Sequence, residues 1–173
     1  MLSTKLQNEL NAQINLEFFS EYSYLSMTAY FESINLDGFS NFFRVQASEE
    51  HFHAMKIFDF INTIGGKVNL ETINKPVVEF DSILNVFETA LAQENRVSES
   101  INHLMDTAIQ ENNHAVISFL KWYVDEQVEE IDLFTNLIAK LKLINNDGNG
   151  ILLMNSELAK RKAAPEITNT SSE

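Results

Sequence analysis

Apolar side chains recur at helical spacing in four long segments of the chain. These segments span about residues 5–34, 39–64, 81–109 and 114–144. The turn signal Asp37-Gly38 separates the first two segments, and Asn112-Asn113 separates the last two. Asp81 is a favourable N-cap for the third segment. The pattern therefore predicts four long helices arranged as two antiparallel hairpins.

The segment between the two predicted hairpins does not fit a helix. Residues 65–80 read GGKVNLETINKPVVEF, which begins with two glycines and contains Pro76. In an extended form this segment reaches ~50 Å at about 3.3 Å per residue, against ~40 Å for a helix of about 26 residues. It can therefore run the length of a bundle, which places the third helix parallel to the second in a four-helix topology with one crossover.

The chain after the fourth helix contains one more predicted element. The stretch NNDGNG predicts a sharp turn, and residues 151–162, ILLMNSELAKRK, predict a short fifth helix. We expect residues 163–173 to form a flexible C-terminal tail. The predicted fold is all-α: a four-helix bundle of two antiparallel hairpins joined by a long crossover, with a short C-terminal fifth helix, in one domain over residues 1–162.

The two predicted hairpins also resemble each other in sequence, with an offset of 77 residues. Apolar positions that match are Phe43 with Leu120, Ile57 with Phe134, Phe60 with Leu137, and Ile64 with Leu141. Polar positions that match are Glu17 with Glu94, Glu50 with Gln127, His53 with Glu130, and Glu49 with Glu126. The hairpins therefore read as two copies of one unit, each with polar residues at matching depth.

Each helix has one such polar residue in the middle of an apolar heptad pattern. Glu50, for example, lies between Phe43 and Ile57, seven residues from each. Unpaired buried charges are costly, and several like charges cost more. A cation should therefore lie between the helices. The candidate ligands are Glu17, Glu50, His53, Glu94 and Glu130, with Gln127 beside them.

The stretch SEEHFHAM at residues 48–55 shows which side chains converge. On a helical wheel with Glu50 at 0°, His53 lies near about −60°, Glu49 near about −100° and His51 near about +100°. His51 therefore points away from the other three. The alternative interpretation is that this Glu-x-x-His pair lies on a solvated helix face. The repeat of polar positions over four helices argues against it.

Composition narrows the kind of cation and partner. The chain of 173 residues has no cysteine, which excludes disulfides and thiolate ligands. Carboxylates that can bridge two metals, together with one imidazole, favour a pair of divalent irons. The formal net charge of −13 disfavours nucleic acid and anionic membranes as partners. We find no signal-peptide pattern at the N-terminus and expect a cytoplasmic protein.

The chain resembles the ferritin family, specifically the prokaryotic non-haem ferritins, over residues 1–160. The segments that carry the resemblance are NLEFFSEYSYLSM around Glu17, ASEEHFHA around Glu50, LAQEN around Glu94, and FLKWYVDEQVEE leading to Glu130. Facing helices with an inward Glu and a Glu-x-x-His motif are also the pattern of ferritin-like di-iron proteins.

The resemblance implies a role for each of these residues. Glu17, Glu50 and His53 would bind one iron, with Glu50 as a bridge, and Glu94 with Glu130 would hold the second iron near Gln127. It also implies a third iron site at Glu49, Glu126 and Glu129. On the wheel of the fourth helix, Glu130, Glu126 and Glu129 fan outward from Gln127. An exposed acidic face is the alternative interpretation for Glu126 and Glu129.

The function implied by the resemblance is iron storage with ferroxidase activity. Fe(II) would be oxidised at the di-iron centre by dioxygen or hydrogen peroxide and stored as a ferric mineral inside a homo-oligomeric shell of twenty-four subunits. The short fifth helices would meet at four-fold axes.

Several further aromatic and histidine side chains lie near the candidate ligands in the sequence. Tyr24 could donate an electron or hydrogen-bond a ligand, or it could be a core tyrosine whose hydroxyl needs a partner. We interpret Trp122 and Tyr123 as packing residues. His51, His103 and His114 have no converging partners in the repeat, so we expect them to be surface or structural histidines.

The sequence departs from the patterns of three other classes of protein. A bacterioferritin would repeat Glu-x-x-His in the fourth helix, where this chain has Gln127 and Glu130, and would have a haem-ligating methionine at the position of His51. We therefore expect no haem. A rubrerythrin-like peroxidase would normally add a cysteine-rich iron domain. A non-catalytic helical interaction module should have apolar residues at such core positions, whereas this chain has Glu17 and Glu94 there.

Overall fold

The computed structural model of the chain describes residues 2–163 and consists of five helices in that range, with no strand. The helices are α1 Thr4–Ser33, α2 Asp37–Thr63, α3 Ile83–Gln110, α4 His114–Ile144 and α5 Gly148–Leu158. Helices α1 and α2 pack as one antiparallel hairpin and α3 and α4 as a second. The predicted all-α fold is confirmed. Of the predicted C-terminal tail, residues 164–173 lie outside the described part of the chain.

The long connection between α2 and α3 runs alongside α1, as its length predicted. Near its start, Asn11 Nδ2 donates to the Lys67 carbonyl at 3.0 Å. Near its end, Ser26 Oγ donates to the Val77 carbonyl at 2.7 Å. Because the connection runs in the same direction as α1, α3 begins at the opposite end of the bundle from the point where α2 ends. Helix α3 is therefore parallel to α2, and the predicted single crossover is confirmed.

The predicted cap of α3 was wrong by one residue. Ser82, not Asp81, is the N-cap, and its hydroxyl accepts a hydrogen bond from the Asn85 backbone N–H at 3.0 Å. Asn85 is the third residue of the helix, which is the position a capping side chain reaches. Asp81 therefore precedes the helix.

The predicted turn at Asp37-Gly38 was also wrong, because these two residues begin α2. The chain reverses at Asn35, which has a φ of 59°, and the Leu36 N–H bonds back to the Phe31 carbonyl at 3.0 Å. Gly38 is needed for a different reason. A Cβ on Gly38 would lie 1.8 Å from the Asn155 carbonyl oxygen, so the glycine lets α5 approach α2 closely.

Helix α5 begins and ends earlier than predicted. Asn145 and Asn146 have φ values of 47° and 62° and make the turn after α4. The Asp147 carboxylate then accepts from the Gly150 N–H at 2.8 Å, so the helix starts at Gly148 rather than at Ile151. The sharp turn is therefore shorter than NNDGNG, and α5 stops at Leu158, before the basic residues 160–162.

The buried core consists of two apolar clusters, one toward each end of the bundle. The aromatic cluster contains six buried phenylalanines: Phe31, Phe39, Phe42, Phe43, Phe87 and Phe134. The aliphatic cluster includes Leu6, Leu10, Ile14, Ile57, Ile61, Val97, Ile101 and Leu120. Along each long helix, the buried polar residues predicted from the heptads lie between the positions of the two clusters. The fold therefore places a polar layer in the middle of an apolar bundle.

Among residues 2–163, no helix has both the length and the apolar character that crossing a membrane requires.

Candidate metal centre

Four helices supply the side chains of the polar layer. Helix α1 contributes Glu17, α2 contributes Glu50 and His53, α3 contributes Glu94, and α4 contributes Gln127 and Glu130. All six are buried, and the most accessible of them is only 5% exposed. The apolar heptads on either side bury these positions, because the same helix face that packs the two apolar clusters also carries the polar residues.

The first hairpin brings together three groups that can bind a metal. Ligand atoms of Glu17, Glu50 and His53 all lie within 4.8 Å of one another. The Nδ1 atom of His53 lies 3.7 Å from Glu50 Oε2. The Tyr123 hydroxyl donates to the His53 carbonyl at 2.8 Å, which ties α4 to this part of α2. This arrangement can present two carboxylates and one imidazole to a single cation.

The second hairpin has a different pattern of hydrogen bonds. The Tyr24 hydroxyl donates to Glu94 Oε1, and Gln127 Nε2 donates to Glu94 Oε2 at 3.3 Å. Gln46 Nε2 donates to Glu130 Oε2 at 2.9 Å. Neutral donors of the protein thus contact both carboxylates of this hairpin.

Carboxylate oxygens in the first hairpin have fewer donors. Glu17 Oε1 accepts from Gln13 Nε2 at 2.9 Å. Glu17 Oε2 and both oxygens of Glu50 accept no hydrogen bond from a donor group in the described part of the chain. The two carboxyl groups are close enough to share a proton, which is then the hydrogen bond left to them. Buried acceptors without donors are costly, and a cation satisfies them.

The ionisation of these groups follows from their burial. Burial raises the pKa of Glu17 and of Glu130 to about 7. Burial, followed by repulsion from neighbouring carboxylates, raises the pKa of Glu50 and of Glu94 well above the ordinary range. Burial, with a smaller effect of Lys56, lowers the pKa of His53 to about 4. The imidazole is therefore neutral at pH 7 and able to bind a metal, while the carboxyl groups hold protons that a cation would displace.

Some polar neighbours of this layer were not anticipated from the sequence. Gln13 is four residues before Glu17, so helical spacing could have revealed this contact. Gln13 Oε1 in turn accepts from Ser100 Oγ at 2.5 Å. Gln46 contacts Glu130 across helices, and no local pattern indicates that contact.

The three acids predicted for a third iron site lie at the edge of the layer. Glu49 is buried, Glu126 is half-buried and Glu129 is exposed. The Glu49 carboxylate contacts Arg161, whose Nη2 lies 2.6 Å from Glu49 Oε2. This arginine follows α5 and was not foreseen as a neighbour of the site.

The remaining singled-out aromatic residues contact the layer or its surroundings. Tyr24 is fully buried, and its hydroxyl bonds to Glu94. The Trp122 ring lies 5.3 Å from the His53 ring, and Lys56 Nζ lies 4.5 Å from the Trp122 ring centroid. Tyr123 is buried and also touches His53. Trp122 and Tyr123 therefore pack around the imidazole.

The other three histidines are exposed. His51 Nδ1 lies 3.1 Å from Glu21, and His103 Nε2 lies 3.5 Å from Glu9. His51 points away from Glu50, as the wheel predicted. All three histidines are surface residues.

This fold and this buried layer define a class: four-helix bundles that hold carboxylates and an imidazole between facing helices. A family profile described as a ferritin-like domain matches residues 7–144. The chain belongs to the ferritin family, and the resemblance read from its sequence is confirmed.

Two relatives illustrate the match in sequence. The chain is 45% identical over 161 residues to a bacterial non-heme ferritin of Staphylococcus epidermidis, covering 93% of this chain and 97% of the relative. It is 40% identical over 161 residues, with the same coverage, to a bacterial non-heme ferritin of Staphylococcus aureus.

Solved structures match in fold over the same range. A structure described as a humanized archaeal ferritin superposes with a TM-score of 0.94 at 45% identity, covering 95% of this chain and 100% of the other. An open pore ferritin from the archaeon Archaeoglobus fulgidus superposes with a TM-score of 0.93 at 45% identity, covering 94% of this chain and all of the other.

Proposed function

We propose that this chain is a ferroxidase subunit of an iron-storage protein. It would oxidise Fe(II) to Fe(III) at a pair of sites within each subunit and store the product as a ferric mineral inside a shell of twenty-four subunits. The observation that carries the proposal is the set of buried carboxylate oxygens of Glu17 and Glu50 that have no donor in the described chain other than a proton shared between the two groups. Membership of the ferritin family supports the same assignment.

Each iron ion would be bound by a different set of side chains. Glu17, Glu50 and His53 would hold the first ion, because their ligand atoms already converge. Glu94 and Glu130 would hold the second ion, with Gln127 beside it and Glu50 as the bridge. Binding both ions replaces protons on the carboxyl groups by metal charge, which removes the repulsion among four buried acids.

The oxidation balances with two ions per event. Each Fe(II) gives one electron, and dioxygen with two protons becomes hydrogen peroxide, leaving two Fe(III). With hydrogen peroxide as the oxidant, the same two electrons and two protons give two water molecules. The side chains of the chain hold the two substrate ions together, exclude bulk water and bind the more strongly charged product. Fe(III) then leaves for the mineral.

An anaerobic titration with Fe(II), followed by rapid mixing with oxygenated buffer, tests this function. We expect two ions per subunit to be oxidised in a fast phase, and any further iron to be oxidised more slowly. Gel filtration after iron loading should show iron in a particle of about twenty-four subunits. A protein that oxidises iron no faster than buffer would contradict the ferroxidase assignment, and a fast oxidation without retained iron would contradict storage.

We propose in addition that Glu49, Glu126 and Glu129 hold a third ion beside the pair. Their position at the edge of the layer supports a role in moving iron away from the pair rather than in the first oxidation. Replacing Glu49 and Glu126 together by Ala should keep the initial fast phase but alter the iron-to-oxygen ratio and slow regeneration for a second addition. Loss of the first fast phase in this double variant would be the opposite result.

A haem group is not part of the proposed function. Where bacterioferritins have a methionine ligand, this chain has His51, which pairs with Glu21 on the surface. The absorption spectrum of the purified protein checks this, since one haem per two subunits would produce an intense Soret band.

A further inference from the structure

A single arginine from the C-terminal segment lies over the edge of the candidate metal centre. Arg161 is three residues past the end of α5, and its Nη2 lies 2.6 Å from Glu49 Oε2. The centre of its guanidinium lies 4.4 Å from the centroid of the Phe42 ring, a stacking distance for a cation on an aromatic face. Both charged side chains are largely shielded, with 21% of Arg161 and 12% of Glu49 exposed. This contact is therefore much less screened than an ordinary surface ion pair.

Backbone contacts to α2 hold the segment that carries Arg161. Asn41 Nδ2 donates to the carbonyl of Leu158 at 3.2 Å and to the carbonyl of Arg161 itself at 3.1 Å. One turn earlier, Asn155 Oδ1 accepts from the Gly38 N–H at 2.8 Å. The position of the guanidinium is thus set by the docking of α5 and its following residues on the start of α2.

The arginine is electrically close to the pair of proposed iron sites. Glu49 directly precedes Glu50 in the chain. The charges of Arg161 and of Glu49 both act on the Glu130 carboxyl group. A guanidinium stays charged at every physiological pH, so this positive charge is permanent.

The contact is strong enough to occupy Glu49 but is not the strongest that arginine can make. Arg161 Nη1 is buried and donates to no acceptor among the described residues. Nη2 contacts the Glu49 carboxylate, so the two terminal nitrogens do not hold it together, an arrangement that is stronger and more rigid. A divalent ion can therefore compete with the guanidinium for the carboxylate.

We propose that Arg161 is a gating residue that competes with a metal ion for Glu49 and so controls how readily a third cation binds beside the proposed iron pair. The inference rests on the proposed function, because the pair supplies the iron that has to pass. With Arg161 in place, the third position binds cations weakly, and an ion that leaves the pair displaces the guanidinium to reach Glu49. When the ion moves on, the arginine returns.

Calorimetric titration with Zn(II) tests the proposal without any oxidation. Zn(II) has the charge of Fe(II) but does not change its oxidation state. We expect two tight ions and one weak ion per subunit in the unmodified protein. In Arg161→Gln the third ion should bind about tenfold more tightly, since a charge-assisted contact no longer competes. The affinities for the first two ions should change by less than about threefold.

Three further variants separate competition from general charge and from damage to the fold. Arg44→Gln removes the same charge from an exposed pair with Glu32, at 3.2 Å, and should leave the third ion unchanged. Arg161→Lys keeps the charge without the planar guanidinium, and its affinity for the third ion should lie between those of the unmodified protein and Arg161→Gln. Asn41→Ala releases the segment that holds Arg161 and should strengthen binding of the third ion, as Arg161→Gln does.

The outcomes distinguish this inference from the proposed function. If two tight ions bind and the third has equal affinity in the unmodified protein and in Arg161→Gln, the gating role is wrong while the iron pair stands. A weaker third ion in Arg161→Gln would also overturn the inference, because Arg161 would then help binding. If the unmodified protein binds no tight pair at all, the proposed function and the gating role are both wrong.

Discussion

The two hairpins have the same fold and matching polar positions, yet they prepare those positions for a metal in different ways. In α1–α2, ligand atoms of three residues converge, and three of the four carboxylate oxygens have no donor in the described chain beyond a proton that Glu17 and Glu50 share. In α3–α4, Tyr24 and Gln127 donate to Glu94, and Gln46 donates to Glu130. The equivalents of Glu50 and His53 are an amide and a carboxylate. The first hairpin therefore depends on a cation more than the second does.

This difference predicts an order of binding. A cation at Glu17, Glu50 and His53 displaces the proton shared by the two carboxyl groups but no hydrogen bond from an amide or hydroxyl to Glu50, and it gains an imidazole ligand. A cation at Glu94 and Glu130 has to compete with donors that already satisfy those carboxylates. The first ion should accordingly bind on the α1–α2 side and the second more weakly on the α3–α4 side.

The largest effect is expected from Glu50→Ala, which removes the proposed bridge between the two hairpins. Fast oxidation of Fe(II) should fall by about a hundredfold or more. The fold should persist, because the substitution also removes one of several mutually repelling buried acids. Rapid mixing of the Fe(II)-loaded protein with oxygen measures the rate, and circular dichroism checks the helices. Glu99→Ala, at an exposed position on α3, is the matched control. Near-normal fast oxidation in Glu50→Ala would show that Glu50 is not a ligand of the site.

A pair of variants compares the hairpins directly. His53→Ala removes the imidazole of the first and should weaken the tightest Zn(II) site by about a hundredfold. Gln127→Ala removes the amide at the Glu50 position of the second hairpin and should change the weaker site by about tenfold or less. Competition against a chelator of known affinity measures both. Equal losses in the two variants would mean that the hairpins are equivalent.

A pH dependence should follow from the raised carboxyl pKa values. Glu17 and Glu130 have pKa values of about 7, raised from 4.5, so below pH 7 a cation has to displace protons. Binding of Zn(II) should therefore strengthen by at least about tenfold between pH 6 and pH 8, since Glu50 and Glu94, whose pKa values are also raised, add to the protons displaced. His53, with its pKa lowered to about 4, stays neutral over this range and contributes no such change. Titrations at several pH values measure the dependence, and constant affinity would argue against proton displacement.

The same linkage affects the metal-free protein with the opposite sign. The folded state binds more protons than the unfolded state between pH 4.5 and about 7, because burial raises the pKa of these carboxyl groups. These groups should therefore make the metal-free protein less stable as pH rises through that range. Bound Zn(II) should reduce this loss.

The smallest effect is expected from Tyr24→Phe. This change removes the hydroxyl that donates to Glu94 and keeps the ring, which lies 6.0 Å from the Phe134 ring. The Zn(II) affinity of the weaker site should change by about threefold to tenfold, and the affinity of the tight site should stay the same. A much larger loss of oxidation rate with intact Zn(II) binding would instead indicate that Tyr24 supplies an electron.

The sequence predicted the helices and the polar layer because both depend on periodic spacing along a single helix. Heptads interrupted at Glu17 and Glu94 identified buried acids, and the span of residues 65–80 identified the crossover. Details that depend on contacts between distant segments were not predicted. Gln46 bonds to Glu130 across helices, and the contact of Arg161 with Glu49 requires α5 to dock on α2.

Errors at the ends of helices have the same origin. Asp37-Gly38 has the composition of a turn, but its glycine is required by the approach of Asn155 from α5. Asp81 and Ser82 are both favourable caps, and the position of the first helical turn decides between them. Local preference alone therefore leaves two solutions at each of these points, and packing selects one.

The most direct test of the account is the position of metal ions in crystals soaked with Fe(II) without oxygen. Anomalous scattering measured on both sides of the iron absorption edge locates iron independently of the protein model. We predict two iron peaks in the buried layer of each subunit, the stronger bound by Glu17, Glu50 and His53, and the weaker between Glu50, Glu94 and Glu130. A stronger peak on the α3–α4 side would contradict the proposed difference between the hairpins, and no peak in the buried layer would contradict the metal centre itself.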